Sequence, residues 1–308
     1  MFLLGILCLV GTGLFWVLLG AIVGAVERRG LSTALLMILL SLGMVILCGC
    51  VVAFLPASQL SPRWYALAAA SLFCAGLFDY MLFLTMGRAM RNGPNGIVWT
   101  VAQSGVIFPF LFGVFFYSVP VTLVRGLGMA AVLAALVCNG LSKEAEGAAE
   151  RSASSGSWRF WMFLAFLAAG GNQVFSNWPS YYEAVRDGFS AYSRTFWLYT
   201  GYLAGFAISE NHRLFRSDYW RQLRDHRLWN FAALWIAGTL VVNFWLTFRG
   251  IDLVTAHGLG AICYPVMVCS CLVGFPVYST LVLRERCTFL QWAALTIGVA
   301  GIVMISVE

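Results

Sequence analysis

The chain has 308 residues, 61% of them hydrophobic and only 10% charged, with a mean hydropathy of +0.84 and a formal net charge of +6. Ordinary soluble domains are roughly 25% charged, and a soluble fold of this length has too little interior to hide so much apolar surface. These values exclude a soluble globular protein, and the small, scattered positive charge excludes the basic stripe of a nucleic-acid binder.

A helix that crosses a bilayer needs about 20 mostly apolar residues, and ten such segments follow one another along the chain. The first covers 2–26 and stops at Glu27-Arg28-Arg29-Gly30. It lacks the basic flank and polar cleavage region of a signal peptide, so it reads as a helix that is retained. The second and third, 33–55 and 64–86, are divided by the stretch from Pro56 to Arg63. Arg91-Asn92-Gly93-Pro94-Asn95 turns the third into the fourth, 96–118, and the fifth covers 121–141. The segments 158–178, 192–210, 228–248, 256–282 and 288–306 complete the set, with Arg284-Glu285-Arg286 before the last. The expected fold is an all-α membrane protein, with Trp and Tyr at the lipid–water boundaries.

Between the fifth and sixth segments lies KEAEGAAERSASSGS, residues 143–157, polar and rich in small residues as a flexible linker is. It divides the chain into 1–142 and 158–308, each with five helices. The halves echo one another: Leu84-Thr85-Met86 matches Leu246-Thr247-Phe248, and at the same offset Asn95-Gly96 matches His257-Gly258. Val121-Thr122-Leu123-Val124 resembles Cys287-Thr288-Phe289-Leu290 after a short insertion. Five crossings per copy leave the second copy upside down, the inverted-repeat plan of many secondary transporters, with the solute site between the copies.

Lys and Arg concentrate in the odd-numbered loops, most of all in the one holding Arg213, Arg216, Arg221, Arg224 and Arg227 beside Glu210, Asp218 and Asp225. The positive-inside rule then leans to cytoplasmic odd loops and both termini outside. The expected setting is a multi-pass protein of a bacterial inner membrane, because the chain opens with no Arg- and Ser-rich transit leader.

The arrangement of ten helices, a central linker and a repeat resembles the drug/metabolite transporter superfamily, of the ten-helix EamA-like kind. Gly258-Leu259-Gly260-Ala261-Ile262-Cys263-Tyr264-Pro265-Val266-Met267 resembles the ninth helix of its rhamnose–proton symporter branch, where small residues precede an aromatic-Pro pair. Gly171-Asn172-Gln173, with Pro179, Tyr181, Glu183 and Ala184, resembles that branch's sixth helix. Leu283-Arg284-Glu285-Arg286-Cys287-Thr288 resembles the short turn with a Glu before the last helix, whereas the first half has Tyr117-Ser118-Val119 there and departs from the pattern. The resemblance implies secondary active transport, often proton-coupled, of a sugar or another small polar metabolite. Export of amino acids, other metabolites or drugs is the alternative, and a membrane enzyme or scaffold the remote one.

Polar groups at membrane depth are costly and mark function or helix–helix contact. Asp79, in LFCAGLFDYMLFL, is the main intramembrane acid and the first choice for carrying a proton; its structural alternative is a carboxyl bonded to a neighbouring helix. Asn172, Gln173, Ser176 and Asn177 lie three or four apart in the sixth segment, so most share a face that could bind a sugar's hydroxyls or join helices. Asn243 and Gln103 are single amides with the same two readings. His257 could accept a proton or simply sit at the interface. Trp16, Trp99 and Tyr264 could stack on a sugar's apolar face or merely pack. Glu285, flanked by arginines, reads as a charge-paired turn.

Nine cysteines raise disulfides and metals, but Cys8, Cys48, Cys50, Cys74, Cys138, Cys263, Cys269 and Cys271 all sit in apolar runs, and no CxxC or Cys/His spacing occurs. No metal or cofactor is expected. The HExxH, GxSxG and GxxxxGK[ST] patterns are missing too, so neither catalysis nor ATP-driven transport by this chain is expected. The expected partners are the bilayer, a small polar solute and protons.

Overall fold

The computed structural model describes residues 1–54, 60–92, 95–147, 157–209, 221–283 and 288–306, and every regular element among them is helical. The helices are α1 (Phe2–Arg28), α2 (Thr33–Phe54), α3 (Pro62–Asn92), α4 (Asn95–Gln103), α5 (Ile107–Tyr117), α6 (Leu123–Gly147) and α7 (Ser157–Asn177). There follow the short α8 (Glu183–Gly188), then α9 (Ala191–Ser209), α10 (His226–Val241), α11 (Phe248–Ala256), α12 (Cys263–Tyr278) and α13 (Phe289–Ser306). A 3-10 turn over Ser104–Val106 joins α4 to α5, and a π turn over Val242–Thr247 joins α10 to α11.

Six stretches among the described residues are long and apolar enough to cross a membrane: Phe2–Leu19, Thr33–Phe54, Pro62–Met90, Val98–Tyr117, His226–Ala256 and Phe289–Ser306. Leu123–Cys138 and Gly260–Gly274 are shorter apolar helices. α7 and α9 are of comparable length, 21 and 19 residues, but are rich in Trp, Tyr, amide and hydroxyl side chains. Large apolar residues face outward throughout, among them Phe54 at 91%, Phe289 at 85% and Leu123 at 80% exposure. Water would not tolerate such a surface, whereas lipid does. This is the exterior of an integral membrane protein.

Several boundaries differ from the sequence reading. α3 continues to Asn92, and residues 143–147, expected in the linker, extend α6 instead. Linker residues 148–156, Pro94 and the Arg284-Glu285-Arg286 turn lie outside the described residues. The helix expected over 228–248 runs on through the π turn to Ala256, so His257 ends α11 rather than starting the next helix. Gly258 then adopts a φ of +77°, a left-handed conformation that suits glycine and reverses the chain.

Proline explains two breaks. Pro109 has no N–H to offer Gly105 four residues back, and the chain winds as a 3-10 turn there; Pro265 stands in the same relation to Ala261 and the turn Gly260–Ile262.

The helices pair in a definite pattern: α3 packs along both α7 and α9, α1 along α12 and the α10–α11 segment, α6 along α13, α2 along α9, and α4–α5 along α7. Where α3 crosses α9 the backbones touch. A methyl group on Gly76 would collide with the Leu198 carbonyl, and one on Gly201 with the Phe73 carbonyl. Such small-residue contacts replace the hydrophobic drive that lipid cannot supply between helices.

Candidate functional site

The helix pairing brings polar side chains from well-separated stretches to one space. Asp79 lies midway along α3. Asn172, Gln173 and Ser176 occupy the last two turns of α7, spaced so as to share a face. Gln103 ends α4, and Asn243 lies in the π turn. All of these line a single cavity of about 900 Å3, together with Trp16 of α1, Trp99 of α4 and Tyr264 of α12. Trp235, Tyr199, Tyr202 and Phe248 add further rings to its wall.

The π turn has a geometric role. One extra residue in the turn loosens the backbone ladder and shifts the register of side chains beyond it. Both Asn243 and Thr247 reach the cavity from this turn. Tyr199 neighbours Asn243 and Thr239 and approaches Asp79, while Tyr264 neighbours Ser176 and also approaches Asp79. No hydrogen bond or ion pair holds the Asp79 carboxyl among the described residues, so it is free to meet a proton or a solute.

The amides are not equivalent. Asn172 donates from Nδ2 to the Ala75 carbonyl at 3.2 Å, which ties α7 to α3 at the cavity wall. Gln173 is 7% exposed, and its Oε1 has no partner among the described residues. A buried acceptor left unbonded costs about 1–3 kcal/mol, so this oxygen suits a donor brought by a solute.

Two expected residues fall elsewhere. Asn177 is 1% exposed, and its Nδ2 donates to the Gly260 carbonyl at 2.8 Å; its Oδ1, like the Gln173 Oε1, has no partner among the described residues, but Asn177 sits at a helix junction and does not line the cavity. His257 is exposed at the end of α11, with Nδ1 2.8 Å from the Leu253 carbonyl and its ring 5.6 Å from that of Phe2. Because α11 outruns its expected end, His257 is carried to the rim of the bundle, away from Asp79.

One cluster was not anticipated. Asp79 was read as the main intramembrane acid, yet Asp252 of α11 is also drawn in, its Oδ1 2.8 Å from Nη1 of Arg194. The Arg194 side chain is 1% exposed. Its Nη1 also donates to Ser180 Oγ at 3.1 Å, Nε to the Phe189 carbonyl at 3.2 Å and Nη2 to the Arg186 carbonyl at 3.2 Å. Ser180 in turn donates to Asp252 Oδ1 at 2.6 Å. The sequence singles out neither charge: both lie within a few residues of segment ends, and only the fold shows Arg194 to be buried and paired with a partly exposed Asp252.

The cavity is lopsided. Its lining extends to Thr33 at the start of α2 and to Arg88 near the end of α3, where the guanidinium stands 4.6 Å from the Trp161 ring. Toward the opposite end it stops at Ser176, Tyr264 and Phe248. Beyond them Tyr117 stacks on Tyr181 at 3.8 Å with the rings 6° from parallel. The Arg194 guanidinium lies over the Phe248 ring at 5.5 Å.

No protein-family model matches the chain, and no curated protein matches it in sequence. Among solved structures 28 chains match it. One of these, known only as the crystal structure of a protein, superposes with a TM-score of 0.65 over 98% of this chain and 94% of its own, at 16% sequence identity. At that identity the likeness establishes a shared fold and carries no function with it.

Proposed function

We propose that this protein is a secondary active transporter that moves a small polar metabolite, a sugar first of all, by alternating access, with a proton carried on Asp79. The proposed setting is a bacterial inner membrane, and the proposed family is the ten-helix, EamA-like part of the drug/metabolite transporter superfamily. The observation that carries the reading is the carboxyl of Asp79, held by no hydrogen bond or ion pair among the described residues, in a polar-and-aromatic cavity of about 900 Å3 inside an apolar bundle. Such a space holds a monosaccharide-sized solute, and transporters commonly bind theirs between two related halves.

The packing supports two inverted five-helix repeats. If α1, α2, α3, α4–α5 and α6 correspond in order to α7, α9, α10–α11, α12 and α13, most contacts have a mirror image. α3 on α7 answers α10–α11 on α1; α1 on α12 answers α7 on α4–α5; α3 on α9 answers α10 on α2; α2 with α9 and α6 with α13 are their own images. The two 3-10 turns that precede Pro109 and Pro265 fall at corresponding places.

In the proposed cycle Gln103, Asn172, Gln173 and Asn243 bond the solute's hydroxyls, Trp16, Trp99 or Tyr264 covers its apolar face, and Asp79 takes up and releases the proton. Export of an amino acid or a bulkier metabolite is the second reading. It is favoured by the further rings of Trp235, Tyr199, Tyr202 and Phe206 in the wall.

The test is a panel of radiolabelled hexoses, deoxyhexoses and amino acids offered to proteoliposomes under an imposed pH gradient. One class should accumulate. Asp79→Asn, a fixed stand-in for the protonated acid, should lose gradient-driven accumulation while keeping solute exchange at equal pH. Undiminished accumulation in Asp79→Asn would remove that residue from coupling. A panel with no transported member would remove the carrier reading.

A further inference from the structure

The transport reading leaves unused the buried charge cluster at the closed end of the cavity. Of the five bonds within it, three bind Arg194 to its own corner of the chain, the turn and short helix spanning residues 178–190. The other two, from Arg194 and from Ser180, converge on one oxygen of Asp252, which belongs to α11. Among the described residues, the two hydrogen bonds that tie α11 itself to the α7–α9 corner thus end on one carboxylate. One further bond joins the same two bodies: Asn177 to Gly260, in the turn after α11.

α11 also has a joint. Its N-terminal end is the π turn Val242–Thr247, which lines the cavity, and Phe248 follows immediately. Phe248 lines the cavity, and the Arg194 guanidinium stands 5.5 Å from its ring, so the cavity wall and the charge cluster meet at this residue. Tyr181 extends the barrier to α5: its ring stacks on Tyr117, and its edge fills the spaces left by Gly113 and Gly260.

The geometry points to Arg194, Asp252 and Ser180 as the latch of a gate at this end, with α11 the moving element and the π turn its hinge. A half-buried ion pair suits this role. Arg194 is 1% exposed and Asp252 25%, so the guanidinium gives up its water to the pair and closure stabilises little overall, yet leaving Arg194 buried without its countercharge is costly. When Asp252 leaves Arg194, Phe248 swings with α11, the Asn177–Gly260 bond parts, and the cavity opens beyond Ser176 and Tyr264. Alternating access requires the mouth by Thr33 and Arg88 to close as this end opens. The inference rests on the transport reading for its purpose but is tested without any cargo.

Two thiols report on the two ends. Native Cys263 is fully buried at the latch end, beside Thr255. Gly87 lines the mouth with nothing near its Cα, so Gly87→Cys adds a reporter there without a clash. N-ethylmaleimide labelling of the full chain in nanodiscs, resolved by peptide mass spectrometry, reads both positions against the other native cysteines. In Asp252→Asn, Cys263 should label roughly tenfold faster, a shift of about 1.4 kcal/mol, and Gly87→Cys should label more slowly. Asp252→Glu, which keeps the charge, should stay near the parent rates. Should Asp252→Asn fail to fold, Asn177→Ala removes the second tie and should move both reporters the same way, by less. Unchanged Cys263 labelling in the variant that folds overturns the latch. So does faster labelling at both positions, which is simple loosening. Success here with an empty solute panel would leave a gated cavity without a known cargo; failure here with a transported solute would leave the carrier without this latch.

Discussion

At the scale of single residues, three neighbouring amides of one helix have three different fates. Asn172 joins α7 to α3, Asn177 joins α7 to the turn after α11, and Gln173 lines the cavity; Gln173 and Asn177 each keep an oxygen without a partner among the described residues, but only that of Gln173 belongs to a cavity residue. Helical spacing made them look alike, and only the partner opposite each one separates structure from binding. Gln173→Leu therefore relieves a buried acceptor and should leave the melting temperature unchanged or raised. Under the proposed transport function it should also raise the KM for solute about tenfold, since a lost hydrogen bond is worth about 1.4 kcal/mol. Asn177→Leu should do the reverse, lowering the melting temperature because it orphans the Gly260 carbonyl. Thermal melts and uptake kinetics on the same preparations check both.

At the scale of elements, helix boundaries and crossings follow from small residues and proline. The 3-10 turns before Pro109 and Pro265 have a local cause in the missing proline N–H, although Pro276 lies within α12 with no such turn before it. The crossing of α3 with α9 has no local signal, because Gly76 and Gly201 are two of 31 glycines and nothing local marks them as partners. Gly201→Val forces its side chain against the Phe73 carbonyl. Overpacking of that kind costs about 1–3 kcal/mol, more where backbone must shift, and a fall of roughly 5 °C or more in melting temperature is expected. Gly87→Val, with open space around its Cα, should melt like the parent. The overlong α10–α11 segment shows the opposite limit. Arg249 and Asp252 fall beyond the expected end of the helix at 248, but α11 continues through both; Arg249 stays exposed, and Asp252 finds its countercharge on α9.

At the scale of the whole molecule, the bundle is interleaved. α3 packs on α7 and α9, α1 on α12, and α6 on α13, so each half buries its faces mainly against the other. Residues 1–150 and 151–308 expressed together as separate chains should assemble and co-purify, while either alone should be recovered aggregated or degraded. Stable, monodisperse material from one half alone would contradict this dependence. The same interleaving explains the cavity. Asp79, Asn172, Asn243 and Tyr264 come from four helices spread along the chain, and they meet because the halves cross.

Composition and hydropathy by themselves determined that the chain is helical and lives in lipid, because a bilayer allows a backbone few ways to satisfy its hydrogen bonds and demands apolar runs of a set length. They also singled out Asp79 and the α7 amides, since a polar group at that depth is costly wherever it points. Only the tertiary structure decided which of those groups share a cavity, that His257 sits at the rim, and that the buried Arg194 is paired with a partly exposed Asp252. Those outcomes depend on contacts between residues far apart in the chain, and a charge near a segment end looks the same in sequence whether solvent or an opposite charge lies beside it.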